Sequence, residues 1–500
     1  MAVTEKTIMK LQNGSDVRGV AIPGVADEPV NLTPETANRI AGGFLDLLSH
    51  KLGKKKSELC ISVGYDSRIS AKALKEGILG AVTATGAAAL DCGMASTPAM
   101  FMSILFDETK ADGAIMITAS HLPYNRNGMK FFTKEGGVEK GEVREILKGA
   151  LRIPTLQGDP SRVKTCDLIS LYSAHLSRII RRELGGEEKP LAGMRIVVDA
   201  GNGAGGFFAS KVLEPLGANT EGSVFLEPDG MFPNHIPNPE NKQAMAAIRK
   251  AVLESGADLG LIFDTDVDRM GAVLASGEEI SRNSLIAMMA AILAPQYPGS
   301  TIVTDSVTSE ELTVFLEEEL GMRHLRFKRG YKNVIDECIR LNEAGTVSPL
   351  AIETSGHGAL SENYYLDDGA YLAVKLLVAA AKAHREGKGL GSLIAKLKHP
   401  AEAKEYRVKI GEEDFQGYGE KVLETFANRA REKGYRIAEP SYEGVRLLFD
   451  EGWALIRLSL HDPNLPVNVE SRKAGDSAKI AARVKELLEG FSALDLSVFP

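Results

Sequence analysis

Apolar and polar positions along the chain follow two alternating periods, one helical and one strand-like, and the alternation starts three times before the texture changes. In the first stretch Thr33-Pro34-Glu35 supplies an N-cap, a first-turn proline and an early acid, followed by Ile40, Phe44, Leu47 and Leu48 at the spacing of one helical face. Leu59-Cys60-Ile61-Ser62-Val63 reads as a buried strand, a helix is expected from about Ala71, and further strands near 88–90 and 114–117. The segment 153–162, with prolines and a glycine, reads as a linker. The pattern resumes at Met194 to Asp199, enters the turn Gly201-Asn202-Gly203-Ala204-Gly205-Gly206, continues into an expected helix and ends near Pro295 to Pro298. It resumes again at Thr301-Ile302-Val303, with a short strand at Leu350-Ala351-Ile352 and a long alanine-rich helix after Asp368, and fades before Pro400. From Tyr406 the chain is β-rich: Val445 to Phe449 and Trp453 to Leu460 are expected as a hairpin around Asp450-Glu451-Gly452, closed by a helix from about Ser477 to Leu488.

These patterns predict an α/β fold: three successive mixed-sheet α/β domains, 1–158, 159–297 and 298–404, and a smaller C-terminal α+β domain, 405–500. A length of 500 residues agrees, since roughly 150 residues make a domain. The chain is 44% hydrophobic and 25% charged, which excludes a disordered chain, a coiled coil or a collagen-like rod. Lys and Arg number 59 against 67 Asp and Glu, a net charge of -8, so no global field recruits nucleic acid or an anionic membrane, and an anionic ligand must be held by local groups. The longest apolar run, Leu285 to Ala294, is too short to span a membrane and reads as a buried helix. Cys60, Cys92, Cys166 and Cys338 lie far apart with no C-x-x-C pair, which argues against a disulfide framework or a zinc knuckle and for a reducing compartment. The start of the chain lacks an apolar signal core, and a cytoplasmic protein is the expectation, or an organelle stroma should a transit peptide precede it.

The sharpest chemical signal is Asp264-Thr265-Asp266-Val267-Asp268-Arg269 after the apolar strand 259–263. Carboxylates at i, i+2 and i+4 of an extended chain project to one side, and three crowded hard oxygens call for a divalent cation, with Mg²⁺ the natural candidate. An EF-hand loop is excluded because Arg269 and Ala275 stand where Gly and Glu are needed. The alternative is a solvated acidic turn. Thr118-Ala119-Ser120-His121-Leu122-Pro123 follows another buried strand, where ligands of open sheets bind; Ser120 is a candidate nucleophile with His121 beside it, or the segment is an ordinary turn. Lys130 is a candidate cation or acid/base amine, or a surface lysine of a strand. Glu353, Ser355 and His357, among glycines, suit the vicinal hydroxyls of a sugar, or form a polar turn. Arg457, Ser459 and His461 are expected on one face of a strand, three donors suited to a phosphate, or simply its polar outer face.

Together the four loops, one in each proposed domain, resemble those of the α-D-phosphohexomutase superfamily of phosphoglucomutases and phosphomannomutases. Thr118 to Pro123 is similar to the phosphoserine loop, Asp264 to Arg269 to the D-x-D-x-D-R metal loop, Glu353 to His357 to the E-x-S-G-H sugar loop and Arg457 to Pro463 to the phosphate loop. Gly14 to Gly19, Gly64-Tyr65-Asp66-Ser67-Arg68, Val198 to Gly203, and Pro228-Asp229-Gly230 through Pro239-Glu240 support the match. The resemblance implies four domains around a central cleft and a reaction between hexose 6-phosphate and hexose 1-phosphate. Ser120 would carry a phosphoryl group, and Asp264, Asp266 and Asp268 would hold Mg²⁺ with an oxygen of that phosphate. A hexose 1,6-bisphosphate would serve as intermediate and activator. It further implies that Arg18, Arg269 and Lys130 neutralise phosphoryl oxygens, with Lys130 or His121 moving the proton. Glu353, Ser355 and His357 would grip the sugar, Arg457, Ser459 and His461 the non-reacting phosphate, and Arg329 and Lys332 would add charge. The expected partner is a small sugar phosphate, with no nucleic acid or membrane, in a monomer or homodimer. The last loop departs from the family's R-x-S-G-T-E-P, for Leu460, His461 and Asp462 replace Gly-Thr-Glu and remove a flexible glycine and a hydroxyl donor. A Mg²⁺-dependent sugar phosphatase and a non-catalytic sugar-phosphate binder stay open as alternatives, and so does the choice of hexose.

Overall fold

A computed structural model describes residues 5–459 and 462–500. The first sheet forms around the buried strands that the apolar runs predict. Its order is Gln12–Asn13, Asp16–Val20, Arg126–Thr133, Gly113–Ile117, Cys60–Tyr65, Ala88–Met94 and Val163–Thr165, with Gly136–Gly137 beside Arg126–Thr133. Gly113–Ile117, Cys60–Tyr65, Ala88–Met94 and Val163–Thr165 are parallel, and Arg126–Thr133 and Asp16–Val20 join antiparallel, so the sheet is mixed. Helix Pro34–Leu52 starts as its sequence dictates, with Thr33 Oγ1 accepting from the Thr36 amide and Pro34 in the first turn. It buries Ile40, Phe44 and Leu48 on the sheet. The segment expected as a linker contains a 3₁₀ turn, Pro160–Arg162, and is followed at once by an edge strand of this same sheet.

A second sheet has the order Glu279–Ile280, Met270–Leu274, Leu259–Phe263, Ile196–Asp199. Leu259–Phe263, parallel to Ile196–Asp199 and antiparallel to Met270–Leu274, is buried along its whole length and delivers the acidic loop at its carboxyl end. After the glycine-rich turn the expected helix is a π-helical segment, Phe208–Leu213, ending in the 3₁₀ turn Glu214–Leu216; Pro215 has no N–H with which to continue a regular helix. Both sheets belong to one compact unit, which runs to Ser281 and includes Ser355–Ala359 and Leu366–Ser392. The long helix Gly369–Arg385, capped by Asp368, is part of it.

The other unit holds Arg282–Thr354, Leu360–Tyr365 and Leu393–Pro500. In it Thr301–Thr304 lies between parallel neighbours Arg323–Arg326 and Leu350–Ile352. The apolar run after Arg282 forms helix Asn283–Leu293, with Leu285 through Ala291 all buried. The C-terminal region is an antiparallel sheet in the order Arg436–Ile437, Val445–Phe449, Gly452–Ile456, Asn464–Ser471, Glu402–Ile410, Leu494–Asp495, covered by helices Phe415–Glu432 and Asp476–Leu488. The hairpin is present, but its second strand stops at Ile456 rather than Leu460. Arg457 and Ser459 lie beyond the regular strand, yet they stay in register with the next one, their amides donating to the Pro466 and Asn464 carbonyls, both at 3.1 Å. Leu460 and His461 lie outside the described residues. Among the described residues no helix is long and apolar enough to cross a membrane.

Arg446 ties this sheet to the loop after Thr301–Thr304. Its guanidinium donates to the carbonyls of Ser306 and Thr308, pairs with Glu310 at 2.8 Å and covers the Trp453 ring at 3.7 Å from the centroid. The Trp453 indole in turn donates to Glu470 at 3.0 Å. Burial pushes the Glu470 carboxyl up to about 7, against the opposing pull of Trp453 and Arg446. A carboxyl whose folded pKa exceeds its unfolded value contributes stability that is complete below about pH 4.5 and is lost as pH rises through about 7, roughly 3 kcal/mol for such a shift. Thermal unfolding of the wild type is expected to shift to lower temperature across that window and that of Glu470→Gln to stay flatter. An equal slope in both proteins would count against this assignment.

Candidate functional site

The loop after Gly113–Ile117 is held by one arginine. Arg68, 2% exposed, donates from Nη1 to the carbonyls of Pro123 and Arg126 at 2.8 and 2.9 Å, and from Nη2 to those of Ser120 and Leu122. Asp66 lies 3.4 Å from its Nε and accepts its amide. Ser120 is fixed with φ 49, and Thr118 Oγ1 accepts its amide at 2.9 Å. An L-residue there costs about 1 kcal/mol or more, so the four Arg68 contacts hold the loop against its own preference. The Ser120 hydroxyl is thereby aimed at Asp264 Oδ2, to which it donates at 3.0 Å, while Arg269 Nη2 donates to it at 3.0 Å.

The acidic loop is not the extended chain that the alternate spacing suggested. It is a tight turn, with Val267 at φ 67 and the Val267 amide bonded to the Asp264 carbonyl. The carboxylates converge because the chain folds back on itself. One oxygen each of Asp264, Asp266 and Asp268 lies within 4.8 Å of the others, and all three residues are fully buried. A β-branched residue at positive φ is a strained outlier, here clamped where the Val267 carbonyl accepts from the Gly369 amide at 3.1 Å. The glycine-rich turn supports the loop from below: the Ala204 amide donates to the Thr265 carbonyl at 2.8 Å, and a Cβ at Gly203 would stand 2.7 Å from that oxygen. Thr97 fixes Asp266, its hydroxyl donating to Oδ2 and its amide to the Asp266 carbonyl. Asp266 Oδ1 and both oxygens of Asp268 have no hydrogen-bond partner. Burial, then Asp268 and Asp266, push the Asp264 carboxyl well above its ordinary range despite Arg269. Burial also opposes ionisation of Asp268, but Lys130, His357 and Arg269 outweigh it and hold that carboxyl low. A buried, anionic set of hard oxygens with unpartnered lone pairs fits a divalent cation such as Mg²⁺.

Cations surround this centre. Lys130 is buried on its strand rather than on the surface, with Nζ 3.3 Å from Asp268 and 3.5 Å from Asp16. Arg18 pairs with Asp16 at 2.8 Å and donates to the Thr118 carbonyl. His121 Nδ1 accepts from Arg269 at 2.8 Å, so this nitrogen carries the lone pair, and it lies 3.4 Å from Ser120 Oγ. Burial, reinforced by Arg269, His357 and Arg18, pushes His121 down to about 3, leaving it neutral. His357 joins the same centre, its Nδ1 2.6 Å from Asp367 Oδ2 and 3.8 Å from Asp268. Burial disfavours its charge, and the Asp367 carboxylate more than offsets this, so its pKa is raised. Gly356 makes the approach of this loop to Met270 possible: the Met270 amide donates to its carbonyl, φ is 94, and a Cβ would stand 2.6 Å from the Met270 carbonyl. Ser355 is buried in the same unit.

The remaining expected residues lie in the second unit. Glu353 Oε1 accepts the Gly330 amide at 2.6 Å, and Thr354 donates to Asp305 Oδ2 at 2.7 Å. Arg329 Nε is 3.7 Å from that same oxygen, and the Arg329 amide donates to Glu443 Oε2 at 3.2 Å. Ser306 also donates to Glu443, and Arg457 Nη1 stands 3.9 Å from its other oxygen. Arg457 is buried with Nε unpartnered, and Ser459 Oγ accepts the Asp462 amide at 3.2 Å. Lys332, in the first turn of helix Tyr331–Glu343, has its ammonium 3.0 Å from Asp336. The structure thus assembles Arg18, Ser120, His121, Lys130, the three aspartates, Arg269 and His357 at one centre, and Arg329, Glu353 and Arg457 at another. Sequence reasoning missed Arg68, Thr97, Asp16, Asp305, Asp367 and Glu443. Of these, Arg68 and Asp16 carried a signal, Arg68 as the end of Gly64-Tyr65-Asp66-Ser67-Arg68 and Asp16 within Gly14 to Gly19.

Three family models match the chain in order: phosphoglucomutase/phosphomannomutase α/β/α domain I over residues 9–153, domain II over 171–277 and domain III over 281–400. A phosphomannomutase/phosphoglucomutase of Pseudomonas putida is 28% identical over 428 residues, 85% of this chain and 86% of its own. A phosphoglucomutase/phosphomannomutase of Thermococcus kodakarensis is 29% identical over 475 residues, 94% of this chain and 95% of its own. Among solved structures, a phosphoglucomutase/phosphomannomutase family protein of Burkholderia thailandensis superposes with a TM-score of 0.79 at 23% identity, covering 98% of this chain and 99% of its own. A phosphomannomutase structure from Thermus thermophilus gives 0.71 at 21% identity, covering 96% and 99%. With three α/β domains matched in order over most of its length and a further β-rich C-terminal domain, the chain belongs to the phosphoglucomutase/phosphomannomutase family.

Proposed function

We propose that this protein is a phosphohexomutase, an isomerase that interconverts hexose 6-phosphate and hexose 1-phosphate, with glucose or mannose as the sugar, by way of a phosphoserine at residue 120. One observation carries the reading: a buried serine hydroxyl held 3.0 Å from a carboxylate of an under-bonded triad and 3.0 Å from a buried guanidinium. Asp264, Asp266 and Asp268, with an oxygen on Ser120, would hold Mg²⁺. Bound there, the ion supplies positive charge to the phosphoryl oxygens during transfer.

The chain's own groups do the rest. Arg269 and Arg18 lie where phosphoryl oxygens on Ser120 need neutralising, and the Arg68 clamp fixes Oγ for in-line displacement. A sugar hydroxyl attacks the phosphorus, the P–Oγ bond breaks, and Ser120 Oγ regains the proton that the hydroxyl gives up. Lys130 Nζ or His121 Nδ1 would carry it. The hexose 1,6-bisphosphate so formed then presents its other phosphate and returns it to Ser120, which makes the bisphosphate both intermediate and activator. Glu353, Ser355 and His357 recognise sugar hydroxyls. Arg457, Ser459 and His461 hold the non-reacting phosphate, with Arg329 and Lys332 adding charge. The reading is of an enzyme acting in the cytoplasm on small sugar phosphates, without nucleic acid or membrane, as a monomer or homodimer.

A coupled assay of glucose 1-phosphate and mannose 1-phosphate with Mg²⁺ and bisphosphate tests the proposal. Ser120→Ala is expected to lose roughly 10³-fold or more in turnover, and intact mass should show phosphate on wild-type Ser120 alone. Undiminished turnover in Ser120→Ala would falsify the mechanism, and net phosphate release without bisphosphate dependence would favour a phosphatase. Asp266→Ala should lose activity and, in thermal unfolding, its stabilisation by Mg²⁺. Arg457→Ala should raise KM by roughly tenfold or more, the worth of a charged hydrogen bond, and keep phosphate on Ser120; an unchanged KM would remove Arg457 from the phosphate grip.

A further inference from the structure

Cys92 and Cys166, far apart in sequence, stand side by side on the first sheet. Strand Val163–Thr165 runs parallel to Ala88–Met94 with Thr165 opposite Asp91, and the Cys166 amide extends the pairing by donating to the Asp91 carbonyl at 2.9 Å. Neighbouring strands lie about 4.8 Å apart, within the Cα separations that a disulfide spans. On its other side Ala88–Met94 carries a bulge: Asp91 faces Val63 and Gly93 faces Gly64, which leaves Cys92 as the extra residue, unregistered with that neighbour. The register, continued by the Cys166 amide bond, sets Cys166 opposite Cys92, whose thiol donates to the Leu90 carbonyl at 3.6 Å. Cys92 is buried and Cys166 is partly exposed, just before Asp167, the N-cap of helix Leu168–Glu183. The neighbouring Cys92 thiol pulls the Cys166 thiol down to about 7 against burial. The attacking thiol of an exchange reaction is best placed when it is exposed and titrates near ambient pH.

We propose that Cys92 and Cys166 are an oxidisable dithiol, closed to a disulfide by exchange with a low-molecular-weight disulfide. The Cys166 thiolate attacks one sulfur of that molecule and expels one small thiolate. Cys92 then loses its proton to solvent, attacks the Cys166 sulfur of the mixed disulfide and expels the second. Two protein thiols are oxidised, and the small disulfide is reduced to two thiols. In a reducing compartment such a bond is a transient mark of oxidation, not a permanent brace. It also reaches the acidic loop. Closure draws the sulfurs together to about 2.05 Å, shifting Cys92 at the foot of the segment that ends in Thr97, and Thr97 holds Asp266 through its hydroxyl and amide. The oxidised form therefore has the weaker cation site, a consequence that rests on the metal reading of Asp266, whereas the disulfide does not.

The full chain, equilibrated in glutathione buffers from reducing to oxidising, provides the test. Thiols counted after denaturation are expected to fall from four to two, with a Cys92–Cys166 peptide in the non-reduced digest that dithiothreitol abolishes. Cys60→Ser should keep that linkage, and Cys166→Ser should form no internal bond. An oxidised protein without the linked peptide, or with only a small-thiol adduct left on Cys166, overturns the dithiol. The rise in unfolding temperature produced by Mg²⁺ should drop by about half or more on oxidation of the wild type and be indifferent to oxidation in Cys166→Ser. A linked protein with an unchanged Mg²⁺ response overturns the coupling to Asp266.

Discussion

Three carboxylates taken out of water within 4.8 Å of one another set the terms for the first unit. At an effective dielectric near 20, two unit charges about 5 Å apart repel by roughly 3 kcal/mol, so Asp264, Asp266 and Asp268 cannot all ionise without opposing charge. The fold divides the load. Asp268 is held anionic by Lys130, His357 and Arg269, while Asp264 is pushed toward its protonated form and bonds the Ser120 hydroxyl. Asp266 is held by Thr97 through one oxygen and leaves the other bare. What the surrounding elements share is the task of keeping these groups together: the strained turn at Val267, the glycine-rich turn beneath Thr265 and the Arg68 clamp around Ser120 all oppose local preferences that would let the centre relax.

In the second unit two arginines are paired with acids. Arg329 and Arg457 are drawn toward the carboxylates of Asp305 and Glu443, and Glu443 also receives the Ser306 hydroxyl and the Arg329 amide. Burial and the nearby Arg329 disfavour the charged Arg457, and Glu443 opposes them. These acids hold two guanidiniums in place, Arg329 Nε 3.7 Å from Asp305 and Arg457 Nη1 3.9 Å from Glu443. The chain here has exchanged the Gly-Thr-Glu of the family's final loop for Leu460, His461 and Asp462, and the strand that precedes the loop ends at Ile456.

Much of the architecture is legible in the sequence because burial along an element leaves a period. The strands at 60–65, 113–117, 259–263 and 350–352 and the helices after Thr33 and Asp368 fall where the apolar pattern puts them. Where the pattern misleads, a long-range contact or a local breaker has prevailed. Pro215 breaks the helix after the glycine turn, and Val163–Thr165, short and weakly apolar, is drawn in as a sheet edge after an apparent linker.

The candidates of the site were likewise legible in the sequence: a serine after a buried strand, three alternate aspartates and a Glu-x-Ser-Gly-His loop marked them, and their joint resemblance to the loops of one family implied the chemistry. Sequence could not show which partners tertiary contact would add. Arg68 reaches Ser120, Thr97 reaches Asp266, Asp367 reaches His357 and Cys92 reaches Cys166 across gaps that no local period encodes. Nor could it show that the aspartates converge through a positive-φ turn rather than along an extended strand. Periodicity records which side of an element is buried. Which buried groups meet, and with what protonation, depends on how sheets and loops pack across the chain, and only the tertiary structure decides that.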